Sequence, residues 1–511
     1  MANPETESPD SAQRRRALDP SRSFIVQSPA GSGKTELLIQ RYLTLLGLVE
    51  RPEAVSAITF TRKAAGEMGR RVMDALAAAA GERPDQGHRA LTWELARRVR
   101  ANSEARGWRL EHNPGRLGIQ TIDALCASVV RRLPWLSRMG GAPSVVEDAR
   151  ELYREAARAT LDLLEGGRCG EEVAILLRHV DNDRQALERL LVGMLARRDQ
   201  WLRHIDAAEP EKSRAALERS LENVALDAVA AVRGAVPDRW AVEMAAIAAE
   251  AGLHLEEAGR EGAALACVGL AGPPGADRLD AWLGMADILL TKGGAWRKSL
   301  TVANGFPSTD KPLKERCGGL IETLSASEAA RRALDELRHL PDRRFSEEQW
   351  RILSSVVKLL PVAVGHLDGI FRARGAADFV EVAIAARRSL EGSSGAGPDQ
   401  RVEHILVDEF QDTSVSQHAL LAALTAGWRP GDGRTVFAVG DPMQSIYRFR
   451  EAEVGLFLKT RRDGIGSVPM EPITLEANFR SAAGVVGWVN DTFPGVMPEE
   501  EEIPTGAIPF S

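Results

Sequence analysis

Phe24 to Thr35 reads FIVQSPAGSGKT. Phe24-Ile25-Val26 is an apolar run of the kind that fills a buried parallel strand. The run breaks at a Gly-rich turn, and a helical pattern opens at Lys34. Strand, glycine turn and helix, in that order, are what a phosphate-binding loop requires. Gly31 and Gly33 let the backbone wrap an anion so that successive N–H groups point at it, and the following helix adds the positive end of its dipole. Lys34 is placed to reach the β and γ phosphates of a nucleotide, and Thr35 to set its hydroxyl on Mg²⁺. Ser28, Pro29, Ala30 and Ser32 complete the loop; the strict pattern has glycine at position 28, where serine stands. Such a loop implies nucleotide binding and nothing narrower, and a chance Gly-rich turn is its bland alternative.

Working outward, Val55 to Phe60, Gly118 to Thr121, Ile405 to Val407 and Val436 to Val439 repeat the apolar strand signature, each followed by a turn or a helical stretch. Strands alternating with helices predict an α/β fold around a parallel sheet. The fourth strand runs into ILVDEFQDTS, which delivers Asp408 and Glu409 to its C-terminal end. Ligands bind at that edge of parallel α/β sheets. There Asp408 would hold the Mg²⁺ shell and Glu409 would orient and polarise the attacking water; a solvated acidic pair at a strand end is the alternative.

The bulk numbers set limits. The chain has 511 residues, 44% hydrophobic and 27% charged, and carries a net charge of −7. It is long enough for several domains. An acidic chain that binds nucleic acid must do so in a local groove, not over its whole surface. Cys126, Cys169, Cys267 and Cys317 form no CxxC pair, so neither a disulfide framework nor a zinc site is expected, and a reducing cytoplasm fits. The opening MANPETESPD lacks the features of a signal peptide. No apolar run reaches the ~20 residues needed to cross a bilayer, and no membrane partner is expected.

With VDEFQDT (407–413), VGDPMQSIYRFR (439–450), TFTRKAAGEM (59–68), LEANFRS (475–481) and IQTIDALC (119–126) added to the loop, the sequence resembles the UvrD/RecB-like branch of superfamily 1 DNA helicases. LLTKGGAWRKSL (289–300) and NGFP (304–307) look more like the RecB/AddA group. The resemblance implies ATP and Mg²⁺ as cofactors and DNA as substrate, with a RecA-like P-loop domain interrupted by a large, mostly α-helical insertion. By the same resemblance Gln13 would read adenine and Phe479 stack on it. Gln444 would sense the γ-phosphate and couple it to the DNA track, and Arg480 would contact that phosphate. Thr59, Phe60, Thr61, Arg62, Thr121, Tyr447, Phe449 and Arg450 would line the path of single-stranded DNA through stacking and phosphate contacts. Arg62 departs from the family's usual asparagine. Asp123 stands where relatives often carry histidine and is not counted as a DNA ligand. Core packing is the alternative role for Phe60, Phe449 and Phe479, and a plain surface position for Gln13.

The expected organisation is a RecA-like domain over 1–133 and 388–470, a helical insertion over 134–387, and the start of a truncated second RecA-like domain over 471–511. The stretch 391–400, EGSSGAGPDQ, reads as a linker. The leading function is an ATP-dependent DNA helicase or single-strand translocase acting in double-strand break repair; its potential partner is a second helicase–nuclease subunit. The rival is a truncated ATP-gated DNA-binding subunit without productive unwinding. On this reading residues 1–511 alone would bind nucleotide weakly and would not unwind DNA. An unrelated P-loop kinase or transporter ATPase fails to account for QDT and QSIYRFR.

Overall fold

The computed structural model describes the chain except residues 1–8, 86, 134–142, 167, 203, 206–209, 393–401, 446–453, 499–500, 502–505 and 511. It falls into two compact units. The first holds Met1–Ala159, Glu188–Arg203 and Ala363–Ser511; the second holds Thr160–Leu187 and His204–Val362.

The first unit is built on a six-stranded sheet. Its strands are β1 (Phe24–Gln27), β2 (Val55–Thr59), β3 (Gly118–Thr121), β6 (His404–Val407), β7 (Thr435–Gly440) and β8 (Glu471–Thr474); β4 (Ser144–Val145) and β5 (Ala376–Ala377) pair separately. The order is β3-β2-β6-β7-β1-β8, and every neighbouring pair is parallel. The four inner strands β2, β6, β7 and β1 are buried along their whole length because both their faces are covered. Phe24, Val26, Leu406, Phe437 and Val439 enter one core, with Leu37, Leu43, Val72, Trp93 and Val99. Ile25, Ile405, Val407, Val436 and Ala438 enter the other, with Val129, Ala385, Leu420 and Phe457. This is the two-residue alternation of a strand expressed in a sheet with no solvent face.

The strand β8 begins at residue 471, where the second RecA-like domain is expected to start. It pairs with β1 in register, Phe24 opposite Glu471 and Gln27 opposite Thr474, so the first sheet runs past that point. The compact helical unit lies inside the expected 134–387. Segments 188–203 and 363–387 group with the sheet, while 160–187 and 204–362 form the helical unit. Its core is made by Met244, Ile247, Trp282, Met285, Ile288 and Phe306. Most of the expected linker lies outside the described residues, and Glu391 and Gly392 end a helix that starts at Phe379. One helix, Glu347–Arg374, is long and apolar enough by length and composition to cross a membrane, although no such run stood out in the sequence. It contains Pro361, and its Trp350, Val357, Leu360, Leu367 and Phe371 are buried in the protein.

Two buried polar groups brace this unit, one on a helix and one between strands. Arg41, fully buried on helix Lys34–Leu46, donates to the carbonyls of Ala17 (3.1 Å) and Arg22 (2.8 Å) and lies over the rings of Phe24 and Phe437. Burial lowers its pKa to about 10, and it remains a cation that ties the phosphate-loop helix to the chain before β1. His404, at the start of β6, has its Nδ1 2.8 Å from the Thr435 hydroxyl. Burial, then the charge of Arg41, lowers its pKa from 6.5 to about 4. The unfolded state therefore binds more protons than the folded state between those values. Stability should fall as pH drops from about 6.5 to about 4, by about 1.4 kcal/mol per pH unit from this group, and no further below. Denaturant midpoints across that window test it. His404→Gln should flatten the slope, and an unchanged slope would assign it to other groups.

Candidate nucleotide site

The loop after β1 is braced from inside. The Ser28 N–H donates to the Gly440 carbonyl at the end of β7 (2.9 Å). The Ser28 and Ser32 hydroxyl oxygens are 2.6 Å apart, and Ser32 Oγ donates to the Pro29 carbonyl (2.6 Å). Ser28 is buried, so the serine that departs from the strict motif works as an internal strut. Gly31 (φ 80°) and Gly33 (φ 77°) adopt the left-handed conformation that side chains disfavour. Gly33 is the N-cap of helix Lys34–Leu46 and supplies no side-chain cap, so no side chain at the cap competes with an anion for the first N–H groups.

Gly31 is tight for a second reason. A Cβ there would stand 2.5 Å from Asn478 Oδ1 and 2.9 Å from Arg480 Cβ. The segment after β8 closes on the loop: the Phe479 N–H donates to the Gly31 carbonyl (2.8 Å), and Asn478 Nδ2 donates to the Ala30 carbonyl (3.1 Å). Gly31→Ala should therefore weaken nucleotide binding at least about tenfold, from roughly 1–2 kcal/mol of left-handed strain plus the clash. A fluorescent-nucleotide titration measures this, and an unchanged Kd would mean that the loop opens to admit the methyl.

Asp408 and Glu409 arrive at the same edge. The Asp408 N–H continues the ladder from β6 to the Ile58 carbonyl (2.9 Å). Glu409 then turns left-handed (φ 51°, ψ 42°), a strained conformation for a residue with a side chain. Its carboxylate meets Lys34: Nζ donates to Glu409 Oε2. Gln411 Nε2 donates to the same oxygen at 2.8 Å. Burial, then the neighbouring Glu409 charge, pushes Asp408 up to about 6. Burial also pushes Asp412 to about 6 and raises Asp441.

A cleft of about 580 Å³ in the helical unit is slightly larger, but Glu218 on its wall is already paired with Arg214 and Arg344. The cleft over the loop, about 530 Å³, has the chemistry. Ser28, Pro29, Ala30, Gly31, Gly33, Lys34, Thr35, Glu409, Gln444, Phe479 and Arg480 line it, together with Glu36 and Arg71. Phe479 is 63% exposed there, so its ring is not core packing. Gln444 Nε2 donates to Asp441 Oδ2. Gln13 is exposed and does not line the cleft. Its neighbour Arg14 instead donates to the Ser32 carbonyl and lies 5.4 Å from the Phe479 ring centre. Sequence reasoning missed Arg14, Arg71 and Gln411. The signal for Gln411 was on view, since QDT carried much of the resemblance without a role being given to its glutamine.

The sequence pattern of the UvrD/REP helicase N-terminal domain matches residues 10–227 and 313–464. The chain belongs to this family. It is similar to proteins named as one subunit of an ATP-dependent helicase/nuclease. Identity is 29% to the protein of Pelotomaculum thermopropionicum, over 93% of this chain and 37% of the relative. It is 27% to that of Geobacillus thermodenitrificans (94% and 38%) and 26% to that of Lysinibacillus sphaericus (93% and 39%). The chain thus spans less than two-fifths of the length of these relatives.

In this UvrD-type chain the residues expected along DNA fall into three groups. Phe60 (half-buried), Thr61 and Arg62 (both exposed) follow β2. The Thr61 hydroxyl caps helix Arg62–Ala78 by accepting from the Ala64 N–H (3.1 Å), and Arg62 pairs with Glu147 (3.2 Å). Thr59 is 1% exposed and turns its hydroxyl to the Thr61 carbonyl, and Thr121 is buried and caps helix Ile122–Arg132. The Thr59 hydroxyl thus donates to protein, whereas Thr121, like Thr61, accepts at its helix cap, a role that does not use its O–H as a donor. Tyr447, Phe449 and Arg450 lie outside the described residues.

Proposed function

We propose that the chain is the nucleotide-binding part of an ATP-driven motor that moves on single-stranded DNA and opens duplex DNA in recombinational repair. The observation that carries this is the meeting of Lys34 and Glu409, 375 residues apart, in one cleft at the C-terminal edge of the sheet. A P-loop lysine and a strand-end carboxylate together define a triphosphate with a water beside it. The loop N–H groups and Lys34 bind the phosphates, and Phe479 offers its exposed face to the base. Gln444 and Arg480, on the wall of the same cleft, would contact the γ-phosphate, and Glu409 would orient the water.

Thr35 and Asp408 would hold Mg²⁺. A hydroxyl and a carboxylate are the hard oxygen donors that such an ion takes beside phosphates and water. Asp408, pushed up by burial, is a carboxylate that gains from a cation nearby. Mg²⁺ would neutralise charge on the β and γ oxygens.

The relatives' names support ATP-dependent helicase action and, because those proteins are named as subunits, association with another chain. The segment beyond β8 is proposed to lead into a second motor domain, and the helical unit to be the insertion that such motors carry. With Cys126, Cys267 and Cys317 buried as free thiols, a reducing cytoplasm suits the protein. The test is ATP hydrolysis by the intact gene product with and without a single-stranded oligonucleotide. Stimulation is expected; ATP binding without stimulated turnover would leave a DNA-binding module and remove the motor.

A further inference from the structure

We infer that Gln411 is the positioning residue that holds Glu409 in its working orientation and locks it to the Asp441–Ser445 turn. The inference rests on the functional reading above and adds a residue to it.

Gln411 is 3% exposed and uses both ends of its amide. Nε2 donates to Glu409 Oε2 (2.8 Å), and Oε1 accepts the Asp441 N–H (2.9 Å). Its backbone joins the same junction: the Ser445 hydroxyl lies 3.4 Å from the Gln411 carbonyl and 3.3 Å from Asp412 Oδ1. The Asp441–Ser445 turn carries Gln444, whose N–H donates to the Asp441 carbonyl (2.9 Å). One buried amide therefore bridges the carboxylate after β6 and the turn after β7. The chain makes room for it. A Cβ on Gly440 would stand 2.3 Å from Gln411 Oε1 and 3.1 Å from the Phe410 and Gln411 backbone nitrogens, so any larger residue would push the amide away.

The amide matters most when nucleotide is bound. Glu409 Oε2 has two donors, Lys34 and Gln411. A triphosphate draws Lys34 toward its own oxygens, and the lysine contact is then given up. The Gln411 contact is not in competition with phosphate, because an amide carries no charge and its other end is fixed to Asp441. It keeps Oε2 occupied and presents Oε1 to water. Glu409 takes a strained left-handed backbone (φ 51°, ψ 42°), a conformation that persists only where its surroundings hold it, and the Gln411 hydrogen bond is part of that hold. The same bridge transmits a shift of Glu409 to the turn carrying Gln444.

Two substitutions separate positioning from bracing. Gln411→Met removes both hydrogen bonds at similar volume. Gln411→Glu keeps an acceptor for the Asp441 N–H but sets a carboxylate against Glu409. Both should lower the DNA-stimulated kcat of the intact protein by about 100-fold, the cost of a misplaced catalytic group, with KM for ATP changed less than about threefold. If Gln411 only braces the turn, Gln411→Glu returns to wild-type kcat and the inference fails. It fails equally if Gln411→Met turns over like wild type, or if KM alone moves. Should the Met variant not fold, as judged by thermal melting, the Glu variant decides alone. Glu409→Gln run in parallel keeps the two levels apart. Active Gln411 variants beside an inactive Glu409→Gln overturn this inference only, whereas an active Glu409→Gln removes Glu409 as the base and with it the assignment on which this inference rests.

Discussion

Glu409→Gln is expected to cut ATP turnover by about 10²–10⁴-fold, the usual worth of a general base, and to leave nucleotide binding intact. The substituted amide has the shape of the carboxylate and still offers an oxygen to Lys34 and Gln411. What it loses is basicity toward water. Binding should not suffer and should tighten slightly, because the carboxylate competes with phosphate for the Lys34 ammonium. Phosphate release from the intact protein with saturating single-stranded DNA gives the turnover, and titration with a fluorescent nucleotide gives the Kd. Turnover within about threefold of wild type would remove Glu409 as the base. A parallel collapse of binding would show that the pair is structural.

The second large effect is on stability and lies away from the cleft. Arg198 is 0% exposed and grips Asp378 with two parallel hydrogen bonds, NH1 to Oδ2 (2.8 Å) and NH2 to Oδ1 (2.6 Å). Glu381 Oε2 accepts a third at 3.3 Å, and the Tyr153 hydroxyl donates to Asp378. Burial acts to lower the Arg198 pKa and to raise that of Asp378. Their hydrogen bonds and mutual attraction reverse both, so the pair stays ionised. Arg198→Met leaves Asp378 buried without its cation and beside Glu381. The expected loss is about 3–5 kcal/mol, the cost of breaking one side of a buried pair. Arg198→Met with Asp378→Leu should recover much of it, since replacing both charges by apolar groups is often close to neutral. Urea unfolding followed by circular dichroism reads both. A single variant that loses under about 1 kcal/mol would mean that water reaches the pair.

These two sites were unequally visible in the amino-acid order. Glu409 stands in a short apolar run that ends in DE, and both the strand and its chemistry can be read within ten residues. Arg198 and Asp378 are 180 residues apart, in a helical stretch whose arginines and acids look alike. Nothing near Arg198 distinguishes it from Arg197 or Arg189; the rotation of its short helix alone sends it inward. The same applies on the N-terminal helix, where Gln13 carried the expectation and Arg14, one residue on, faces the loop.

By itself the sequence determined the parallel α/β layout, the phosphate loop and the acidic strand end. Each is decided by local sterics: glycines that take positive φ, alternation along strands covered on both faces, and a helix that begins where a strand stops. The tertiary structure decided which polar groups meet. It placed β7 between the strands that deliver Lys34 and Glu409 and gave Gln411 its bridge across that gap. It also added β8 to the sheet beside β1 and turned the hydroxyl of Thr59 to the Thr61 carbonyl. The physical reason is that a buried hydrogen bond between distant segments depends on the positions of whole packed elements, and no window of neighbouring residues contains that information.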